Sequence, residues 1–255
     1  MNHRSEIFNL PNQLTMARIA LTIVLVVTLE MARDMTPNFT VMASGPTATP
    51  TVSAMSFPSA TGQAIVYGLA FLMFVIAAGT DWLDGYYARK YGMETTLGRI
   101  LDPFADKLII CGTFTLLLAH PLAVRGPWGL APWMVVVLTG RELLITVIRG
   151  YVEGRGVNFG AKWLGKWKMG LQCIAAGGFL LLLTFGALGM IGININGELR
   201  INATGTVAGL LRTAWWFTVA SLWSAIVLTL WSAWQYIIAA IRISRQLHGE
   251  TPETP

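Results

Sequence analysis

Residues 81–106 read DWLDGYYARKYGMETTLGRILDPFAD. The stretch gathers Asp81, Asp84, Asp102 and Asp106 in a chain of 255 residues of which only 12% are charged. At 100° per residue, Asp81, Asp84, Gly85, Ala88 and Arg89 share one helical face. That face offers two carboxylates, two positions with almost no side chain and one cation. Gly98, Asp102 and Asp106 follow at i, i+4 and i+8, a second stripe with a small residue on it. Two facing helices could bring the four carboxylates around one point, with room left beside them.

Carboxylates gathered in apolar sequence need a reason. Each costs about 2.5–3.5 kcal/mol to place at the centre of a bilayer, and four together repel unless water, protons or cations intervene. All-oxygen ligands favour hard ions such as Mg²⁺ or Mn²⁺. No histidine or cysteine lies near the cluster, which argues against a dedicated zinc site. A pair of carboxylate-held ions suits phosphoryl chemistry, because it neutralises phosphate oxygens and a leaving group. The small residues leave space for a diphosphate, and Arg89 could help neutralise it. Two other readings compete. The acids could be ordinary charges between spans, or they could line the path of a cation transporter. Against transport, they sit at one edge, and no acid lies deep in the later spans. Pro103 adds a local tension: it should kink the helix or mark its first turn, and Asp102 before it should avoid the α region.

The elements that would hold these acids are apolar. Hydrophobic residues make up 54% of the chain. Stretches long enough to cross a bilayer occur at 14–31, 64–85, 100–118, 129–148, 168–191 and 208–241. The expected fold is all-α: a polytopic six-transmembrane-helix bundle, both termini cytoplasmic, forming one membrane domain over 1–247. On that topology fourteen of the 18 lysines and arginines fall on or near the cytoplasmic side. Only Arg33, Arg125, Arg200 and Arg212 fall outside, a clear positive-inside bias. The formal charge of +5 is then topology and attraction to anionic lipid; nucleic acid is not needed as a partner. Cys111 and Cys173 lie inside spans and suggest no disulfide framework. No cleavable signal peptide is apparent. Residues 1–13 read as an interfacial arm, 35–63 as an uncharged external loop, 192–205 as a second external loop and 248–255 as a disordered tail. Trp128, Trp133, Trp215, Trp216, Trp231 and Trp234 fall toward span ends, as an aromatic belt would.

The spacing D-x2-D-G-x2-A-R-x8-G-x3-D-x3-D, from Asp81 to Asp106, resembles the signature of the CDP-alcohol phosphatidyltransferases, with every position filled. The resemblance implies an enzyme that displaces CMP from a CDP-linked lipid with an alcohol acceptor. On it, Asp81, Asp84 and Asp102 match the metal-binding acids. Asp106 matches the proposed general base and is counted among the metal ligands too. Asp84, Gly85, Ala88, Arg89 and Gly98 match the CDP site. NLPNQLTMAR (9–18), GRELLITVIRG (140–150) and GKWKMGLQ (165–172) resemble the bacterial phosphatidylglycerophosphate synthases, the first being shared in part with cardiolipin synthases. This implies CDP-diacylglycerol and sn-glycerol 3-phosphate as substrates, membrane lipids as surroundings and two divalent ions as cofactors. It also allows a homodimer, since relatives often pair. A phosphate-bearing acceptor needs cations, and Arg141, Arg149, Lys162, Lys166 and Lys168 are the candidates. They could instead be positive-inside anchors, with Arg141 paired to Glu142. Phosphatidylglycerol, serine or an inositol phosphate remain alternative acceptors for the same chemistry.

Overall fold

In a computed structural model of the chain, residues 10–34, 58–91, 96–153, 163–193 and 198–247 are described; side chains of 81–100 and of a few other helix-end residues lie outside that description. Six long helices dominate: α1 (Leu10–Asp34), α2 (Pro58–Tyr91), α3 (Thr96–Leu117), α5 (Pro132–Glu153), α6 (Trp163–Ala187) and α7 (Gly205–Leu247). The short helix α4 (Pro121–Arg125) and the strands β1 (Ile191–Ile193) and β2 (Leu199–Ile201) complete the order. The chain is predominantly helical, as expected, with one addition in the second loop, where β1 and β2 form an antiparallel pair with Ile191 opposite Ile201. Other boundaries shift as well. Residues 58–63, expected in the first loop, open α2, and residues 10–13, expected in the arm, open α1 with Asn12 buried. The remainder of that arm, residues 35–57 and the tail lie outside the described residues.

Among the described residues, four helices are long and apolar enough to cross a membrane, over Asn12–Arg33, Thr61–Thr80, Trp167–Ala187 and Gly205–Ile238. The other two long helices, α3 and α5, have 22 residues each. Both carry charges along their length: Asp102, Asp106 and Lys107 on α3, and Arg141, Glu142 and Arg149 on α5.

Cross-helix contacts fix the directions. Gln63 donates to the Ala32 carbonyl and Thr28 approaches Met73, so α1 and α2 run antiparallel. Phe74 lies against Gly177 and Thr184 against Gly68, which sets α6 antiparallel to α2. A side chain on Gly178 would strike Thr218, so this glycine permits the close approach of α6 and α7. Arg141 meets Ser232 and Trp133 meets Trp223, so α5 and α7 run the same way. The starts of α1, α3 and α6 and the ends of α2, α5 and α7 thus share one end of the bundle. Leu29, Phe74, Phe114, Leu138, Phe179 and Leu222 belong to a single apolar core beneath it.

Trp215 departs from the aromatic-belt expectation. It is fully buried against Phe179, and its ring occupies the space a side chain at Gly126 would need. Trp128, by contrast, is 68% exposed, and its carbonyl accepts the indole N–H of Trp223.

At the opposite end, Gln63, Tyr67 and His120 knot α1, α2 and the α3–α4 turn. The Tyr67 hydroxyl lies 3.0 Å from His120 Nδ1, and the rings meet edge to face. Burial, helped by the nearby Arg33 cation and opposed by Glu30, pushes His120 down to about 4 from 6.5. A histidine kept neutral by folding stabilises fully above its unfolded value, and that stability is lost as pH falls toward the folded value. Between about pH 6.5 and 4 the purified protein should therefore lose up to about 1.4 kcal/mol per pH unit from this residue. Melting curves across that range should show the fall for the native chain and a flatter dependence for His120→Gln.

Candidate active site

The site end is built first by α1 and α3. In α1, Asn12, Thr15, Arg18 and Thr22 are all buried. They follow at i, i+3, i+6 and i+10, a polar stripe that gives way to Leu25, Leu29 and Ala32. The stripe lies against α3. Thr15 Oγ1 donates to Asp102 Oδ1 at 2.6 Å, and Arg18 Nη1 lies 3.0 Å from Asp106 Oδ1. A three-residue step on α1 thus matches a four-residue step on the parallel α3.

Pro103 neither ends α3 nor marks its first turn. The helix runs through it from Thr96 to Leu117, with the ring exposed. Asp102 and Asp106 consequently do share one face, as the spacing i, i+4 requires. Both are partly exposed, and their donors are all oxygen. That suits a hard divalent ion, and the two carboxylates would be part of its ligand set.

Asp81, Asp84, Gly85, Ala88 and Arg89 lie on the C-terminal part of α2, and Gly98 lies in the first turn of α3. The antiparallel course of α2 and α3 brings these backbones to the same end as Asp102 and Asp106. Their side chains lie outside the described ones.

A second cluster joins α5, α6 and α7. Glu142 receives Arg141 Nη1 at 3.2 Å and also pairs with Lys168. Arg141 Nη2 donates to Ser232 Oγ at 2.6 Å, and its guanidinium stands 5.8 Å from the Tyr236 ring centre. Arg141, Lys168, Ser232 and Tyr236 are buried. Among the described residues, Arg141 Nε and, one turn beyond Lys168 on α6, Gln172 Nε2 are buried with no hydrogen-bond acceptor. The cluster carries two cations against one carboxylate. Cys111 of α3 lies near Thr139 of α5 and within electrostatic reach of Glu142 and Lys168. Five residues separate Cys111 from Asp106, about 8 Å along the helix. Arg149 and Lys166 lie on α5 and α6 with side chains outside the described ones; Lys162 lies outside the described residues.

Of the expected site residues, Asp102 and Asp106 come together, as do Arg141 and Lys168. Thr15 and Arg18 were not singled out from sequence as partners of the aspartates, nor Ser232 and Tyr236 as partners of Arg141. A signal existed for the first pair: four polar residues at helical spacing at the head of an apolar helix.

The chain is also similar in sequence to known proteins. Residues 8–197 match the CDP-alcohol phosphatidyltransferase family. The chain is 32% identical over 231 residues, 90% of its length and 93% of the relative's, to the CDP-diacylglycerol–glycerol-3-phosphate 3-phosphatidyltransferase of Bacillus subtilis. It is 31% identical over 171 residues, 66% of its length and 75% of the relative's, to the protein of the same name from Haemophilus influenzae. A CMP-forming cardiolipin synthase of rice is 38% identical over 111 residues, 40% of this chain and 33% of that one. The filled aspartate signature on two adjacent helices, the family match over more than half the sequence and a relative aligned over nearly its whole length lead to one assignment: the chain belongs to the CDP-alcohol phosphatidyltransferases.

Proposed function

We propose that the chain transfers the phosphatidyl group of CDP-diacylglycerol to sn-glycerol 3-phosphate, releasing CMP and forming phosphatidylglycerophosphate. The name and extent of the Bacillus subtilis relative support this acceptor. The observation that carries it is the buried Arg141–Lys168 pair, whose charge Glu142 balances only by half. Cys111, within electrostatic reach of that cluster, lies about one and a half turns beyond Asp106 on α3, which supports an acceptor phosphate in the cluster with its hydroxyl toward the aspartate. Arg149, Lys162 and Lys166 are further candidates for the acceptor phosphate.

Asp81, Asp84, Asp102 and Asp106 would hold two divalent ions, Mg²⁺ or Mn²⁺. Bound there, such ions supply positive charge to the diphosphate oxygens and to the departing phosphate. Gly85, Ala88 and Gly98 leave room for the CDP moiety, and Arg89 adds charge beside it. Asp106 accepts the proton of the acceptor's 1-hydroxyl as that oxygen attacks the β-phosphorus, which carries the diacylglycerol. The bond from the β-phosphorus to the bridging oxygen breaks, and CMP leaves with its electron pair. The lipid tails remain in the bilayer throughout. This reading takes all six long helices as spans, with both termini and the site at the cytoplasmic face of a bacterial inner membrane, as the positive-inside bias supports.

Incubating the purified protein with CDP-diacylglycerol and Mg²⁺ tests the acceptor. CMP release should require glycerol 3-phosphate. The rice relative favours one second reading, with phosphatidylglycerol as acceptor, and release with that lipid instead would select it. No release with any acceptor would return the acids to a transport role.

A further inference from the structure

The end of the bundle opposite Asp102 and Asp106 carries exposed cations that the chain does not neutralise. Arg33 is matched there by Glu30 at 2.7 Å. Arg200 on β2 has Glu198 two residues before it. Arg125, in the last turn of α4, and Arg212, on α7, are exposed and have no hydrogen-bond or ion-pair partner among the described residues. The segments around them offer none: no aspartate or glutamate occurs in 35–80, 108–141 or 199–249.

The fold sets these two arginines on touching elements. The space beside Gly126, the residue after Arg125, is filled by the ring of Trp215, three residues after Arg212. Exposed tryptophans lie close to both in the chain. Trp216, 48% exposed, is one turn from Arg212 on the same face of α7. Trp128, 68% exposed, is three residues from Arg125. Its φ of 58° is a left-handed conformation that bulky side chains rarely adopt. The surrounding turn holds it there. Gly129 N–H donates to the Gly126 carbonyl at 2.9 Å, Leu130 N–H donates to the Ala123 carbonyl at 2.8 Å, and the Trp128 carbonyl accepts the Trp223 indole.

We propose that α4, the turn after it and the adjoining part of α7 form a binding site for an anionic phospholipid of the leaflet facing away from the aspartates. Arg125 and Arg212 take its phosphate, and Trp128 and Trp216 line its chains. Unbalanced guanidiniums select a phosphate-bearing anion, and exposed indoles suit the boundary between headgroups and hydrocarbon. A zwitterionic lipid brings its own ammonium, which the arginines repel. The inference rests on the membrane reading given under the proposed function, and is independent of the acceptor.

Photoreactive phosphatidylglycerol, with a diazirine in one chain, tests the site against photoreactive phosphatidylcholine of the same chains. The full chain is labelled in phosphatidylcholine vesicles, and adducts are counted on peptides covering 121–137 and 205–223. Phosphatidylglycerol should label them about tenfold more than phosphatidylcholine, because each arginine near an anionic headgroup contributes about fivefold. Arg125→Gln and Arg212→Gln should each cut that preference about three- to fivefold, and the double variant should leave the two lipids equal within about twofold. CMP release by these variants should stay within about twofold of native, since the two ends of the bundle are independent sites. Equal labelling by both lipids in the native chain, or an undiminished preference in the double variant, would overturn the proposal. So would loss of the preference in millimolar inorganic phosphate, which would mark a site for the free anion. A native chain that keeps the preference yet releases no CMP with any acceptor would uphold the lipid site and remove only the enzymatic reading.

Discussion

Asp102→Asn should abolish CMP release, by at least about 10³-fold, while the protein remains folded. The magnitude follows from the charge it removes: a carboxylate that holds a divalent ion contributes several kcal/mol to a phosphoryl-transfer transition state. Folding should survive because asparagine has nearly the same shape, and its Oδ1 can still accept the Thr15 hydroxyl that Asp102 accepts at 2.6 Å. The residue is only partly buried and makes no ion pair among the described residues. CMP release measured beside the melting temperature checks both halves. Near-normal turnover in this variant would sink the metal assignment. A collapse of the melting temperature would make Asp102 a structural residue.

Glu142→Gln should produce the opposite pattern, a loss centred on stability. Glu142 is the carboxylate shared by Arg141 and Lys168, both buried. Removing its charge leaves two like cations facing each other in apolar surroundings. Breaking a buried pair by deleting one partner costs about 3–5 kcal/mol, and here one deletion strands two cations. For a chain of this size that corresponds to a melting temperature lower by about 6–15 °C. Lys168→Met in the same background should restore part of the loss, because it leaves Arg141 with its Ser232 bond and the Tyr236 ring as company. Added glycerol 3-phosphate should raise the melting temperature of Glu142→Gln more than that of the native chain if its phosphate enters this cluster. A Glu142→Gln protein as stable as the native one would show that the cations find other partners.

Much of the site was legible because helices convert spacing into direction. The i, i+4 step of Asp102 and Asp106 translated into a shared face, and the proline between them proved compatible with it. The bundle's alternating helix directions carried the rest, bringing α2's acids and α3's acids to one end. What periodicity does not encode is which helix lies opposite. Arg18 read as one more basic residue on the inner side, and only the parallel packing of α1 on α3 reveals it as the counter-cation of Asp106. Ser232 was hidden for a similar reason: it lies 91 residues from Arg141, within a 43-residue apolar helix. Trp215 shows where composition misleads, since a tryptophan near a helix end can be a core residue when a glycine such as Gly126 makes space for it. The strands β1 and β2 escaped notice because three-residue elements are too short for a period of two to emerge.

The central claim is that glycerol 3-phosphate is the acceptor. Purified protein in mixed micelles of CDP-diacylglycerol, with Mg²⁺ and ³²P-labelled sn-glycerol 3-phosphate, tests it most directly. The label should pass into the organic phase as phosphatidylglycerophosphate, one for each CMP released, and should not do so in Asp102→Asn. Label that stays in the aqueous phase while CMP is released with phosphatidylglycerol would contradict the account.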